Sequence, residues 1–241
     1  QSMSRLYSKK TLVLTIAPTQ SCNFACTYCF EKWRQSGTLS DQTENAIINY
    51  IKHLKQTEGL ENINLTWYGG EPLLQYKRVI SLAKRIEQLG LNINENLLIT
   101  NGYFFTPEII KELVDAKITE IQITLDGFKE IHDIRRPLAN GKGTFDTIIE
   151  NLDNYYNSSF RDAFAIAIRV NIDNRNYKSF IDIYKWLNDR YKSKRLIVYP
   201  GVVVLDENDC NASTCLSRNA VTDIVLDLFT KYGVVTEELY P

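Results

Sequence analysis

Three of the five cysteines of this 241-residue chain lie within eight positions, in the stretch PTQSCNFACTYCFE (18–31). Cys22, Cys26 and Cys29 follow the spacing C-x3-C-x2-C. Thiols crowded in this way are typical ligands of zinc or of iron–sulfur clusters. Structural zinc needs a fourth protein ligand, whereas a 4Fe-4S cluster held by three thiolates leaves one iron open to a small molecule. The stretch therefore predicts a metal centre.

Few side chains could supply a fourth ligand. The histidines are His53 and His132, and the other cysteines are Cys210 and Cys215. His53 falls within a helical pattern, on its expected exposed side. Cys210 and Cys215 could ligate an auxiliary cluster, act as a resolving pair or be surface thiols. A non-catalytic module that holds zinc or a closed cluster stays open as an alternative, and it requires Cys210 or Cys215 to reach the first loop.

Strand-like apolar runs alternate with helical patterns along most of the chain. The predicted strands lie at 11–19, 62–68, 96–100, 120–125, 164–172 and 195–204. Strands that alternate with helices indicate a parallel α/β sheet with right-handed crossovers. Six units between residues 11 and 232 cannot complete an eight-stranded barrel, so we expect an open, partial (βα)6 barrel of the TIM type. The cysteine loop follows the first strand, where loops of such folds carry the site.

The cysteine stretch resembles the signature of the radical S-adenosylmethionine (radical SAM) enzymes, with Asn23 after the first cysteine and Tyr28 before the third. This resemblance implies that Cys22, Cys26 and Cys29 are the catalytic ligands of a 4Fe-4S cluster and that Tyr28 belongs to the cofactor site. In this family the amino and carboxylate groups of SAM chelate the open iron. The reduced cluster then cleaves SAM to a 5′-deoxyadenosyl radical, which abstracts a hydrogen from the substrate.

A glycine-rich element follows the second strand, in WYGGEPLL (67–74). Gly69, Gly70 and Glu71 resemble the Gly-Gly-Glu-Pro element that presents backbone oxygen to the SAM amino group in this family. In an arbitrary sequence, Gly69-Gly70 would only be a turn at the end of a strand. The resemblance implies that these three residues belong to the cofactor site.

Polar residues end the third, fourth and fifth strands. Thr100 and Asn101 lie in TNGYFF, Thr124 in ITLDG and Asn171 in RVNI. The family resemblance implies that Thr100, Asn101 and Thr124 hydrogen-bond the ribose or the methionine end of SAM. For Asn171 we expect a hydrogen bond to the ribose. The alternative is local, because Asn-Gly and Asp-Gly favour tight turns and the ends of strands have backbone groups to satisfy.

The stretch HDIRRP (132–137) resembles a His-Asp-x-x-Arg element of the branch that modifies peptides and proteins. By spacing, Arg136 would bind the SAM carboxylate through a forked, charge-assisted pair. Arg135 could take its place. The alternative for two adjacent arginines on a loop is solvated surface charge.

Composition limits the partners and the compartment. The chain has 28 Lys and Arg against 29 Asp and Glu, which indicates no binding of nucleic acid. It contains no apolar run of a membrane-spanning helix, and an odd number of cysteines fits a reducing compartment, so we expect a cytoplasmic protein. The resemblance implies a peptide or protein substrate and an external one-electron reductant of the flavodoxin or ferredoxin kind.

The expected domain boundaries follow from the same patterns. Gln1 and Ser2 precede the only methionine, Met3, which predicts the remnant of an expression tag within 1–10. Residues 11–232 form the expected core. The resemblance to anaerobic sulfatase maturases and to peptide maturases with a cysteine-rich SPASM extension predicts that 233–241 begin a linker to such an extension, which this sequence does not contain. The resemblance does not distinguish oxidation of a Cys or Ser side chain from cross-linking of side chains.

Overall fold

The computed structural model describes residues 10–29, 31, 36–203 and 216–234. Cys210, Cys215 and most of the expected tag and linker segments lie outside the described residues, so the predictions about them stay predictions. The strands are β1 (Thr11–Ile16), β2 (Asn62–Trp67), β3 (Asn92–Thr100), β4 (Glu120–Thr124), β5 (Ala165–Ile172) and β6 (Leu196–Val202). The α-helices are α1 (Asp41–Thr57), α2 (Tyr76–Glu87), α3 (Pro107–Asp115), α4 (Lys129–Arg135), α5 (Phe145–Tyr156), α6 (Phe180–Tyr191) and α7 (Arg218–Tyr232).

The sheet follows chain order, β1-β2-β3-β4-β5-β6. The pairs β1–β2, β2–β3 and β5–β6 are parallel, and a shift between Ile63 and Asn64 interrupts the register of β2 with β3. In the described part of the chain the order ends at β1 and β6, so the sheet is not closed. The nearly continuous apolar run of β1 predicts a strand that is covered on both faces. That prediction is wrong at Val13, which is 45% exposed.

Two compact units divide the described residues. The first contains 10–22, 36–122 and 151–164, and the second contains 23–29, 31, 123–150, 165–203 and 216–234. Within the first unit, Phe105, Tyr155 and Phe164 are buried and in ring contact. Within the second, alternate residues of β5 are buried, which leaves Arg169 and Asn171 together on the strand's other face.

The first helix begins one residue earlier than its sequence predicts. Asp41 and Glu44 suggest a capping box, but the N-cap is Ser40, whose hydroxyl accepts a hydrogen bond from Thr43 N at 3.1 Å. Glu44 is instead buried and paired with Arg78 and Arg85 of α2. The capping-box prediction is therefore wrong, because Glu44 binds two arginines of a neighbouring helix. No helix among the described residues has the length and apolar character needed to cross a membrane.

Candidate functional site

The cysteine loop carries three half-buried cysteines, Cys22, Cys26 and Cys29, which form no disulfide. Cys26 and Cys29 share a turn in which Cys29 N donates to Cys26 O at 3.2 Å. In the described part of the chain, no group of three or more His, Cys, Asp or Glu side chains is already arranged around a metal position. Three cysteine thiols within eight positions match the donor set of an iron–sulfur cluster. Their joint ligation of a cluster stays a prediction.

The glycine pair after β2 lies directly against the backbone that precedes Cys22. Gly70 N donates to Thr19 O at 3.1 Å, and Glu71 N donates to Ser21 O at 2.9 Å. A Cβ at Gly70 would overlap Ser21 O, and one at Gly69 would crowd Thr19 O. Gly69 also has φ of +124°, a conformation that L side chains rarely adopt. The two glycines are therefore needed for close approach to the cysteine loop, and their predicted contact with SAM stays a prediction.

Replacement of Gly70 by alanine tests this close approach. We expect Gly70→Ala to lower the free energy of unfolding by about 2 kcal/mol or more, because the new methyl group displaces rigid backbone. Gly37→Ala is the matched control, since a Cβ there meets nothing within 4 Å and its φ is not positive. Urea unfolding of the protein without cofactors measures both values, and equal stability of the two variants would contradict the proposed packing.

Glu71 connects the glycine element to the end of β3. Its carboxylate is fully buried and accepts hydrogen bonds from Thr100 Oγ1 at 2.7 Å, Asn101 N at 2.7 Å and Leu73 N at 2.9 Å. The Thr100 hydroxyl also accepts from Gly102 N at 3.1 Å. The first unit thus brings Glu71, Thr100 and Asn101 together through their own hydrogen bonds, and the predicted contacts of these residues with SAM stay predictions.

In the second unit, the Tyr28 hydroxyl is the centre of a hydrogen-bond network. It donates to Asp126 Oδ1 at 2.9 Å and accepts from Arg136 Nη1 at 2.8 Å and Asn171 Nδ2 at 3.0 Å. The Asn171 oxygen accepts in turn from Arg169 Nε at 2.9 Å. Tyr28 therefore links the loop of Cys26 and Cys29 to residues after β4, after α4 and on β5.

The two adjacent arginines have different partners, although both are buried. Arg135 forms ion pairs with Asp126 at 2.7 Å and with Asp173 at 2.6 Å. Arg136 is in no ion pair between described residues, and its buried Nε has no hydrogen-bond partner there. An unused N–H on a buried guanidinium fits an anionic ligand such as a carboxylate. Of the two arginines, Arg136 is therefore the one with an N–H for such a ligand, and binding of the SAM carboxylate by either residue stays a prediction.

Burial and charge act together on this network. Burial raises the pKa of Tyr28 far above its usual range, Arg136 opposes the rise, and Asp126 and Cys26 add to it. Burial acts to lower the pKa of Arg136, but Tyr28, Cys26 and Asp126 outweigh it and raise the pKa overall. Tyr28 therefore stays a neutral phenol and Arg136 stays a cation at neutral pH.

The His-Asp-x-x-Arg element lies in and after a short helix, not on an exposed loop. The prediction of a loop at 132–137 is wrong, because α4 extends to Arg135 and Arg136 is its C-cap. Asp133 Oδ1 accepts from Thr144 N at 2.8 Å and from Phe145 N at 2.9 Å, so the carboxylate caps α5. The helical hydrogen bonds and this cap give the element its rigid backbone.

His132 holds the ends of this element in place. It is fully buried, and its Nδ1 accepts from Asp126 N at 3.2 Å. The neutral ring therefore carries its proton on Nε2, which is 3.0 Å from Thr144 Oγ1, and that hydroxyl donates to Arg136 O at 2.7 Å. Both ring nitrogens are engaged, so His132 is a poor fourth ligand for zinc. His53 is exposed on α1, as its helical pattern predicts.

Acid should destabilise the protein through His132. Burial lowers the pKa of His132 well below its usual value, and Arg136 and Arg135 lower it further. Below pH ~6.5 the unfolded chain takes up a proton that the folded state excludes, so stability falls with pH. Between pH 7.5 and 5.5 we expect a loss on the order of 1 kcal/mol from this residue.

The measurement is urea unfolding of wild type and His132→Asn across this pH range. The wild type should lose stability more steeply than the variant, and His53→Asn, at an exposed position of α1, is the control for replacement of a histidine. Parallel curves for wild type and His132→Asn would show that the imidazole does not titrate as described.

Several residues of the network were not predicted as site residues. They are Asp126, Thr144, Asp173 and Asn176, and each is buried. Asn176 Nδ2 donates to the carbonyls of Asp126 and Asn171, both at 2.8 Å. The only sequence signal for Asp126 is the Asp-Gly pair, which also indicates a simple turn. Thr124 is buried at the end of β4, and its role toward SAM stays a prediction.

The amino-acid sequence matches one protein family and is similar to several known enzymes. The model of the radical SAM superfamily matches residues 16–187. GTP 3′,8-cyclase of Haemophilus influenzae (strain PittEE) is 29% identical over 202 residues, which are 79% of this chain and 54% of that enzyme. The cysteine-type anaerobic sulfatase-maturating enzyme of Clostridium novyi (strain NT) is 31% identical over 152 residues, 59% of this chain and 40% of that enzyme. The chain spans about half the length of the first of these relatives.

Solved structures show the same fold. Native anSMEcpe with bound AdoMet and Cp18Cys peptide superposes with a TM-score of 0.72 at 23% identity, over 91% of this chain and 59% of that chain. At this identity the likeness concerns the fold alone. It confirms the α/β fold predicted from the alternation of strands and helices.

Proposed function

Because the chain belongs to the radical SAM superfamily, we propose that it binds a 4Fe-4S cluster and SAM and uses them to modify a peptide or protein. Cys22, Cys26 and Cys29 are the proposed cluster ligands. With cluster and SAM bound, the site supplies a carbon-centred radical that abstracts a substrate hydrogen. An external one-electron reductant and a reducing, cytoplasmic compartment complete the proposal.

Two likenesses support the choice of a peptide or protein over a small molecule, one in a sequence element and one to a known relative. The resemblance to the peptide-modifying branch rests on His132, Asp133 and Arg136, and each of these has a distinct place in the second unit. His132 holds Asp126 N, Asp133 caps α5, and Arg136 keeps an unused N–H. The similarity to a sulfatase-maturating enzyme supports the same choice.

The residues of the chain act in this proposal by binding and orienting. Arg136 provides the buried cation for the SAM carboxylate, and Tyr28 fixes that guanidinium through its hydroxyl. Asp126 and Asn171 in turn fix Tyr28, so the donors are oriented before the ligand binds. The Gly69-Gly70 backbone supports the loop next to Cys22.

A second candidate is a nucleotide substrate. The similarity to GTP 3′,8-cyclase covers more of this chain than the similarity to the sulfatase-maturating enzyme. The nucleotide candidate shares the proposed cluster, SAM and Arg136, and it differs only in the molecule that loses the hydrogen.

The test is anaerobic reconstitution with iron and sulfide, followed by reaction with SAM and reductant in the presence of peptides with a central Cys or Ser, or of GTP. We expect a peptide to change mass and to increase formation of 5′-deoxyadenosine, while GTP stays intact. Consumption of GTP without any change in peptide would favour the nucleotide candidate. Binding of zinc with no response to SAM would favour the non-catalytic module.

A further inference from the structure

A ring of contacts in the first unit returns to Cys22. Ser21 O, directly before Cys22, accepts from Glu71 N at 2.9 Å. Glu71 Oε2 accepts from Asn101 N at 2.7 Å. Asn101 Nδ2 lies 4.0 Å from Cys22 Sγ, as a donor to sulfur. These contacts link three loops of the first unit, and the Asn101 amide is the group that lies next to the cysteine sulfur.

The Asn101 side chain has a defined orientation in this ring. Its Oδ1 accepts from Tyr103 N at 3.0 Å, which directs the other end of the amide, the Nδ2 donor, toward the sulfur. Asn101 is only 5% exposed and Glu71 is fully buried, so water competes weakly for these groups. The amide therefore occupies one orientation with little access to alternatives.

We propose that Asn101 is a positioning residue that donates a hydrogen bond to the Cys22 sulfur and thereby raises the reduction potential of the cluster, with Glu71 holding Asn101 in place. The inference rests on the proposed function. Reduction adds one electron and transfers no atom, so the reduced cluster carries one more negative charge. An N–H dipole directed at a ligand sulfur stabilises that extra charge, as outer hydrogen bonds to sulfur do in iron–sulfur proteins.

Two substitutions of Asn101 distinguish the effect of losing the N–H donor from the effect of adding a negative charge. Asn101→Ser keeps a short oxygen that can accept from Tyr103 N, but it is too short to reach the sulfur. Asn101→Asp keeps the shape and the acceptor, and it places a carboxylate oxygen where the donor was. Asn45→Asp is the matched control, because Asn45 is exposed on α1 and its Oδ1 bond from Arg85 is retained.

The measurement is a spectroelectrochemical titration of the reconstituted full chain without SAM, so that contacts of Asn101 with SAM do not contribute. At a fixed potential we expect about tenfold less reduced cluster in Asn101→Asp than in wild type, equivalent to about 59 mV for a one-electron couple. Asn101→Ser should shift in the same direction by less, and Asn45→Asp should match the wild type.

The possible outcomes distinguish failure of this inference from failure of the proposed function. Equal potentials in the wild type and in whichever Asn101 variants retain the cluster would overturn this inference while leaving the proposed function intact. A wild-type chain that holds no cluster would overturn both. A shift in Asn45→Asp as large as that in Asn101→Asp would assign the effect to net charge and overturn the role of the Asn101 donor.

Discussion

Replacement of Cys26 by alanine is expected to abolish stable binding of the cluster and, with it, cleavage of SAM. The loop supplies three thiols, so removing one leaves two protein ligands for four irons. We expect iron and sulfide content after anaerobic reconstitution to fall to background in Cys26→Ala, and the same result in Cys22→Ala and Cys29→Ala.

Cys210→Ala provides the matched control, since this cysteine lies outside the C-x3-C-x2-C stretch. It should retain the iron content and the SAM cleavage of the wild type. A stable cluster and normal turnover in Cys26→Ala would contradict the assignment of the three ligands. Loss of the cluster in Cys210→Ala would instead favour the closed site of the non-catalytic module.

Replacement of Arg136 by alanine is expected to weaken SAM binding with little change in stability. Loss of one partner of a buried charge pair costs about 2–5 kcal/mol, equivalent to a ~30-fold to several-thousand-fold rise in Kd. The Arg136 side chain pairs with no carboxylate among the described residues, so the folded protein without SAM loses chiefly one hydrogen bond to Tyr28. Isothermal titration of the reconstituted protein with SAM measures the Kd.

Replacement of the neighbouring Arg135 is expected to have the opposite profile. Its ion pairs with Asp126 and Asp173 are buried, and Arg135→Ala would leave two buried carboxylates without that cation. Removal of one member of a buried pair costs about 3–5 kcal/mol of stability. We expect urea unfolding to show this loss in Arg135→Ala, with a much smaller change in Arg136→Ala.

An exposed arginine serves as the control for both variants. Arg195→Ala, directly before β6, should leave both stability and the Kd for SAM unchanged. If Arg136→Ala bound SAM as tightly as the wild type, the carboxylate would not bind at Arg136. If Arg136→Ala were as unstable as Arg135→Ala, its role would be in the fold.

The sequence alone predicts the features that depend on local pattern and spacing. The alternation of strands and helices is sufficient for the α/β class, because each run has the length and periodicity of its element. Thr106 and Pro107 likewise predict the start of α3, where Thr106 is the N-cap. The cysteine spacing supports the family, which the superfamily match confirms.

Features that depend on distant partners could not be predicted in this way. Arg135 and Arg136 are adjacent and chemically identical, and only the positions of Asp126 and Asp173 separate an ion-paired arginine from one with an unused N–H. The sequence assigns Glu71 to the glycine element. The contacts of its carboxylate with Thr100 and Asn101 depend on another strand, because these two residues lie at the end of β3. Such pairings depend on tertiary structure and leave no local pattern.

Electron paramagnetic resonance of the reduced, reconstituted wild-type chain, recorded with and without SAM, tests the central claim most directly. Three thiolate ligands leave one iron open, so SAM should bind to that iron and change the resonance of a 4Fe-4S cluster. Arg136→Ala, measured at the same SAM concentration, should show less of this change. A cluster whose resonance is unaffected by saturating SAM, or a chain that takes up zinc in place of iron, would contradict the account.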